Sequence, residues 1–155
     1  MNGLVIFQRC REAADDIEKL ERVTERKRER MRSMVGWRMD PNGGSRGGGE
    51  SDRMAAMAAA VDEAEEKKRD REEAFRVEVA AADQLLDMVP ELESEILERY
   101  YINRDTLAEV ARKMHLTAGY VRAKKRDADL AAEMISAERV AAAVPDWYRR
   151  KWWDE

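Results

Sequence analysis

The chain is poor in residues that cross-link or interrupt a fold. Its 155 residues include one cysteine, one histidine and three prolines, and aromatic side chains make up 6%. A lone Cys10 excludes an intrachain disulfide and fits a reducing compartment. No apolar run approaches the roughly 20 residues of a helical membrane span, and Leu4 to Phe7 is too short for a signal-peptide core. A cytoplasmic protein with no membrane partner is expected. Catalysis needs a nucleophile with its base, a metal cluster or matched carboxylates in a pocket. The single histidine and cysteine supply none of these, and the acidic residues alternate with Lys and Arg on helical faces. The expectation is therefore no catalytic residue, no metal site, no cofactor and no enzyme.

What the chain does have is charge. Charged residues make up 40%, with 29 Lys and Arg against 33 Asp and Glu, for a net charge of −4. This is too polar for one large core, and no β-rich segment is present, so the fold class is all-α with extended helices. Pro41, Pro90 and Pro145 stand where helical units should separate.

Ile6, Cys10, Ala13, Ile17, Leu20, Thr24, Lys27, Met31 and Met34 alternate in steps of four and three, the rhythm of a coiled-coil seam. A second seam runs through Met54, Met57, Val61, Ala64, Lys68, Arg71, Phe75, Glu78, Ala82, Leu85 and Val89. Between them Pro41 to Gly49 carries five glycines in nine residues, which predicts a flexible loop over 41–50 with Ser51 capping the returning helix. Residues 1–89 are thus expected to form an antiparallel helical hairpin, Ile6 lying near Leu85 and Phe75 near Ile17 and Leu20. Thr24 and Lys27 should then lie close to Lys68 and Arg71, and these three cations need Glu21, Glu25, Glu65 or Glu72 beside them. Such a hairpin suits a spacer, an arm for a partner or a homodimer interface. The glycine loop lacks the Gly-Lys-Ser/Thr ending of a phosphate-binding loop. The basic run Arg26 to Arg32 reads as a solvated helix face laced by Glu21, Glu25 and Glu29.

Residues 106–126 carry the most specific signal. Thr106 and Glu109 have capping-box spacing, and Leu107, Val110, Ala111 and Met114 follow on one helical face. His115 stands at the turn, where a residue able to adopt positive φ is needed, and Thr117 is a second N-cap. The helix it opens turns Val121, Ala128, Ala131 and Ile135 inward. This is a helix-turn-helix, and its second helix is the one a major groove receives. Lys124 occupies a place where an apolar side chain usually packs, so its stem should lie along the core with the ammonium extended outward. Residues 104–126 hold seven Lys and Arg against two Asp and Glu, a net +5 within an acidic chain. That basic island makes double-stranded DNA the leading partner.

Residues 90–102, PELESEILERYYI, followed by this motif, resemble region 4 of bacterial sigma factors. The whole layout, with a charged first helix, a Gly-Gly-Gly loop and the helix start Ser51-Asp-Arg-Met54, resembles the small phage-encoded sigma-like regulators of the ArpU/RinA type found in prophages. The resemblance implies sequence-specific, sigma-like regulation of phage late genes in a bacterial cytoplasm, with host RNA polymerase as a further partner. It makes Thr117 to Arg126 the recognition helix and implies a DNA-binding set of Thr117, Tyr120, Arg122, Lys124, Lys125 and Arg126. Ala118 and Gly119, which enter the groove first, have no side chains able to hydrogen-bond a base. Two other readings stay open: a small terminase subunit that recognises DNA for packaging, and a module that contacts RNA polymerase and never DNA.

The expected organisation is the hairpin at 1–89, the helix-turn-helix domain at 90–135 and an aromatic, basic tail at 136–155. Three of the four tryptophans lie in Trp147, Trp152 and Trp153 of that tail. Docking back onto the helical body is favoured over a partner-binding peptide or a surface for stacking single-stranded nucleic acid.

Overall fold

The computed structural model describes residues 1–38 and 47–153. Helices are the regular structure among them, joined by short turns, with no strand among the described residues. In order the elements are α1 (Gly3–Arg38), α2 (Gly47–Leu86), α3 (Glu91–Leu97) continued by a π-helical turn (Glu98–Ile102), α4 (Leu107–Met114), α5 (Ala118–Glu133), α6 (Ala137–Ala143) and α7 (Asp146–Trp152). Pro90 and Pro145 occupy the N-cap positions of α3 and α7, where the missing N–H costs no intrahelical bond. Pro41 and the Pro41–Arg46 part of the expected loop lie outside the described residues.

One expectation is corrected at the start of α2. The helix begins at Gly47, so Ser51 lies inside it instead of capping it. Once a helix is nucleated, each added residue gains a backbone hydrogen bond, and this outweighs the conformational freedom that glycine gives up.

The chain divides into two compact units, residues 1–14 with 73–155, and residues 15–72. In the second unit the two long helices pack antiparallel, as their ion pairs record. Asp16 meets Arg71 at 3.5 Å, Glu21 meets Lys68 at 3.8 Å, and Arg28 pairs with Glu65, so positions advance along α1 as they recede along α2. Lys68 also meets Glu72 at 3.7 Å. Of the expected carboxylates, Glu21 and Glu72 meet Lys68, whereas Glu65 and Glu25 pair with Arg28 and Arg71 takes Asp16. Val61 and Ala64 are buried, as is Thr24, whose hydroxyl donates to the Leu20 carbonyl at 2.8 Å. Arg28 has its pKa raised, chiefly by its hydrogen bond to Glu65.

The first unit contains two apolar clusters. The larger is made by Ile6, Phe7 and Cys10 of α1, Ala74, Ala81, Ala82 and Leu85 of α2, Leu97 and Tyr101, the second half of α5, and Val140, Val144 and Tyr148. Here the seam differs from its sequence reading. Phe7 and Ala74, both off the predicted rhythm, are fully buried, whereas Phe75 is only half-buried. Several elements converge on this part of the helices, so the buried face is wider than a two-helix seam. Gly3 marks a close approach. Its N–H donates to the Ile135 carbonyl at 3.1 Å, and a β-carbon there would lie 2.6 Å from the Ala132 carbonyl oxygen.

The aromatic segment is docked. Tyr148 is fully buried, and its hydroxyl donates to Glu78 Oε1 at 2.6 Å while accepting from Arg9 Nη1 at 3.0 Å. Arg9 also donates to the Trp152 carbonyl at 2.6 Å. Trp152 and Trp153 pack against the larger cluster, and Trp147 stays 38% exposed. Burial, followed by the hydrogen bond to Glu78, raises the Tyr148 pKa well above its ordinary value.

Candidate nucleic-acid interface

The smaller cluster is the core of the helix-turn-helix. Ile96 of α3, Val110 and Ala111 of α4 and Val121 of α5 are buried together, with Leu92, Leu107, Met114 and Leu116 packed around them. Ala111 is small enough for α4 and α5 to pack closely at its level. Each helix starts as its sequence requires. Thr106 Oγ1 accepts from the Glu109 N–H at 3.2 Å, and Thr117 Oγ1 accepts from the Tyr120 N–H at 3.3 Å.

The turn between α4 and α5 is set by His115, at φ 56° and ψ 40°. Its N–H reaches the Arg112 carbonyl at 3.3 Å and the Leu116 N–H reaches the Ala111 carbonyl at 2.9 Å. This pair of bonds is a Schellman closure, with histidine in the left-handed position that glycine usually takes. Histidine fills the role anticipated from its place in the sequence.

Helix α5 has opposing faces. Val121, Ala128 and Ala132 are buried, the first in the smaller cluster and the other two in the larger, so both cores fix the helix. Arg122 and Arg126 lie exposed, one turn apart, with no ion pair to either among the described residues. Thr117, Ala118, Gly119 and Ala123 are exposed as well, and Tyr120 is 44% exposed.

The two remaining cations of α5 are held by the protein. Lys124 is half-buried, with Nζ 3.8 Å from Glu93 and 3.8 Å from Asp127. Its ammonium also lies 5.8 Å from the centre of the Tyr120 ring. Lys125 meets Asp129 at 2.7 Å, and its ammonium lies 4.6 Å from the Tyr100 ring centre and 5.4 Å from that of Tyr101. Asp129 in turn accepts from the Tyr101 hydroxyl at 2.8 Å. Burial first, and this hydrogen bond second, push the Tyr101 pKa well up.

Two further residues that hold the motif sit outside it. Arg11 of α1 stacks its guanidinium 4.0 Å from the Tyr100 ring centre and donates to the carbonyls of Tyr100 and Asp105. Asp105, itself buried, accepts from Lys113 at 2.9 Å. Sequence reasoning had no signal for Arg11, because nothing local links it to a segment some 90 residues away. The i,i+4 spacing of Lys125 and Asp129, by contrast, was available.

No curated protein and no solved structure matches the chain. Residues 85–128, running from the end of α2 into the middle of α5, match the family model for Sigma-70, region 4, and this stretch is a sigma-region-4-like helix-turn-helix.

Proposed function

We propose that the chain is a DNA-binding regulator of transcription that lays α5 in the major groove. The outward face of that helix carries the reading: Arg122 and Arg126 are exposed and unclaimed by other described side chains on a helix locked from behind. Arg122, nearer the start of α5, is placed to pair bidentately with a guanine, and Arg126 to hold a phosphate. Thr117 and Tyr120 flank them at the groove edge. Lys124 and Lys125 pair with Glu93, Asp127 and Asp129, which offset their charge and leave the outward positive field to the two arginines. Control of phage late genes is the biological setting suggested by the glycine-rich layout ahead of the sigma-like segment.

The test is duplex binding by the full-length chain from low to physiological salt. Affinity should fall steeply with salt. A double change of Arg122→Ala with Arg126→Ala should weaken binding and lower the salt slope by about 1 to 2. Helicity should be unchanged. Binding indifferent to salt, or none at low salt, overturns the reading.

A second reading has its own observation. Leu130 is 58% exposed, Met134 86% and Met88 46%, leaving apolar surface beyond the recognition half of α5. A chain that binds no duplex but is retained by RNA polymerase through Leu130 and Met134 would be an interaction module. Solution mass separates both readings from a packaging adaptor, which should form a ring of many subunits where a regulator is a monomer or a dimer.

A further inference from the structure

Two glycines sit in or at the ends of helices near α5, and the structure accounts for only one. At Gly3 a β-carbon would collide with the Ala132 carbonyl oxygen at 2.6 Å and with Ile135 at 2.8 Å, so the fold demands glycine there. At Gly119 a β-carbon meets nothing within 4 Å. Gly119 lies in the first turn of α5, in ordinary helical backbone, where no left-handed conformation calls for glycine. Glycine in a helix gives up backbone freedom without packing in return, and alanine is the better helix former. Within the folded chain, this residue has a cost and no use.

Its use is external. Gly119, Arg122, Ala123 and Arg126 share one exposed face of α5 by their spacing of three and four. Two long cations therefore rise beside two positions whose side chains together amount to a single methyl group. A helix with its side chains is about 10–12 Å across, and the major groove is about 12 Å wide. The fit leaves little slack, so the bulk of the entering face sets how deep the helix sits and whether an arginine reaches base edges or stops at phosphates.

Given the DNA-binding reading on which it rests, we infer that Gly119 is a specificity-determining residue: its missing side chain lets α5 seat deeply enough for Arg122 to read a base. Ala123 keeps the same floor low and offers a methyl contact for thymine. A side chain at 119 props the helix outward. Base readout is lost first, while phosphate contacts, which reach further, survive.

The experiment uses the full-length chain and a pool of duplexes with a randomised core. The wild type should enrich a preferred sequence. Gly119→Leu should lose roughly tenfold or more in affinity for that sequence, the size of one bidentate base contact. Its affinity for unrelated duplex should stay within about twofold, with the salt slope unchanged. Gly119→Ala, a smaller obstruction, should lose less and melt at the wild-type temperature or up to about 3 °C higher. Opposite movement of stability and selectivity is the signature. If Gly119→Leu keeps the preference, or weakens all duplexes equally, the inference falls and the DNA-binding reading stands. A wild type that binds every duplex alike has the same consequence. Unfolding or a lower melting temperature in Gly119→Ala makes the glycine structural and also overturns the inference. A wild type that retains no duplex removes both.

Discussion

Tyr148 couples the stability of the first unit to alkaline pH, and the size of the effect follows from its surroundings. Its hydroxyl is buried, donates to Glu78 and accepts from Arg9, and its pKa is raised far above the ordinary value near 10. Tyr101 is raised in the same way by burial and Asp129. Below pH 10 both phenols are neutral in the folded and the unfolded chain, so neither makes stability depend on pH. Above it the unfolded chain releases these protons and the folded chain keeps them. Stability then falls by about 1.4 kcal/mol per pH unit for each tyrosine. Tyr148→Phe removes one of the two contributions. At neutral pH the variant loses a hydrogen bond to a carboxylate, about 1.5–3 kcal/mol. Above pH 10 the wild type gives back that advantage at about 1.4 kcal/mol per unit, so the two stabilities should converge near pH 11.5. Urea unfolding followed by helical circular dichroism at a series of pH values measures the difference directly. Other titrating groups are common to both chains and cancel. A difference that stays constant from pH 8 to pH 12 would show that Tyr148 ionises as freely folded as unfolded, and the reasoning would fail.

Three further outcomes are expected. Lys125→Ala should lower stability by about 1 kcal/mol, through loss of the Asp129 pair and the cation over Tyr100 and Tyr101, and leave the salt slope of DNA binding almost unchanged. A drop in slope near 0.9 would make it a phosphate contact instead. Phe7→Ala should cost about 3–5 kcal/mol in denaturant unfolding, because the ring is fully buried and faces Tyr101 with centroids 6.1 Å apart. Phe75→Ala, from a half-buried position, should cost clearly less, and equal costs would restore the simple two-helix seam. His115→Gly should raise the melting temperature by a few degrees, since it relieves a left-handed residue that costs roughly 1 kcal/mol; a fall would mean that the imidazole makes a stabilising contact.

Local rules were legible in the sequence, and long-range packing was not. Both threonine caps, the left-handed His115 and the inward Val121 follow from side-chain chemistry acting over three to five residues, and all appear where they were expected. The antiparallel pairing of α1 and α2 was readable for a similar reason, since two helices of similar length that follow each other in the chain with only a short connection between them can pack side by side only by folding back. Phe7 and Phe75 show where that logic stops. A heptad assumes a single partner, but the first turns of α1 and the end of α2 also meet α5, α6 and α7, so the burial of a ring such as Phe7 depends on elements far away in the sequence. The same holds at the candidate interface. The sequence sets Lys124 over the core but does not show what each cation faces, and the fold sorts them by what stands opposite: Glu93, Asp127 and Asp129 take the lysines, and open solvent is left for the arginines. Arginine is the residue suited to bidentate contact with guanine, and its charge persists at any working pH. The two cations left outward by the packing are therefore the two whose chemistry fits a groove. Arg11 and Tyr100 brace the site and need touch no DNA. The face they help to hold is defined as much by the side chain absent at Gly119 as by the two present at Arg122 and Arg126.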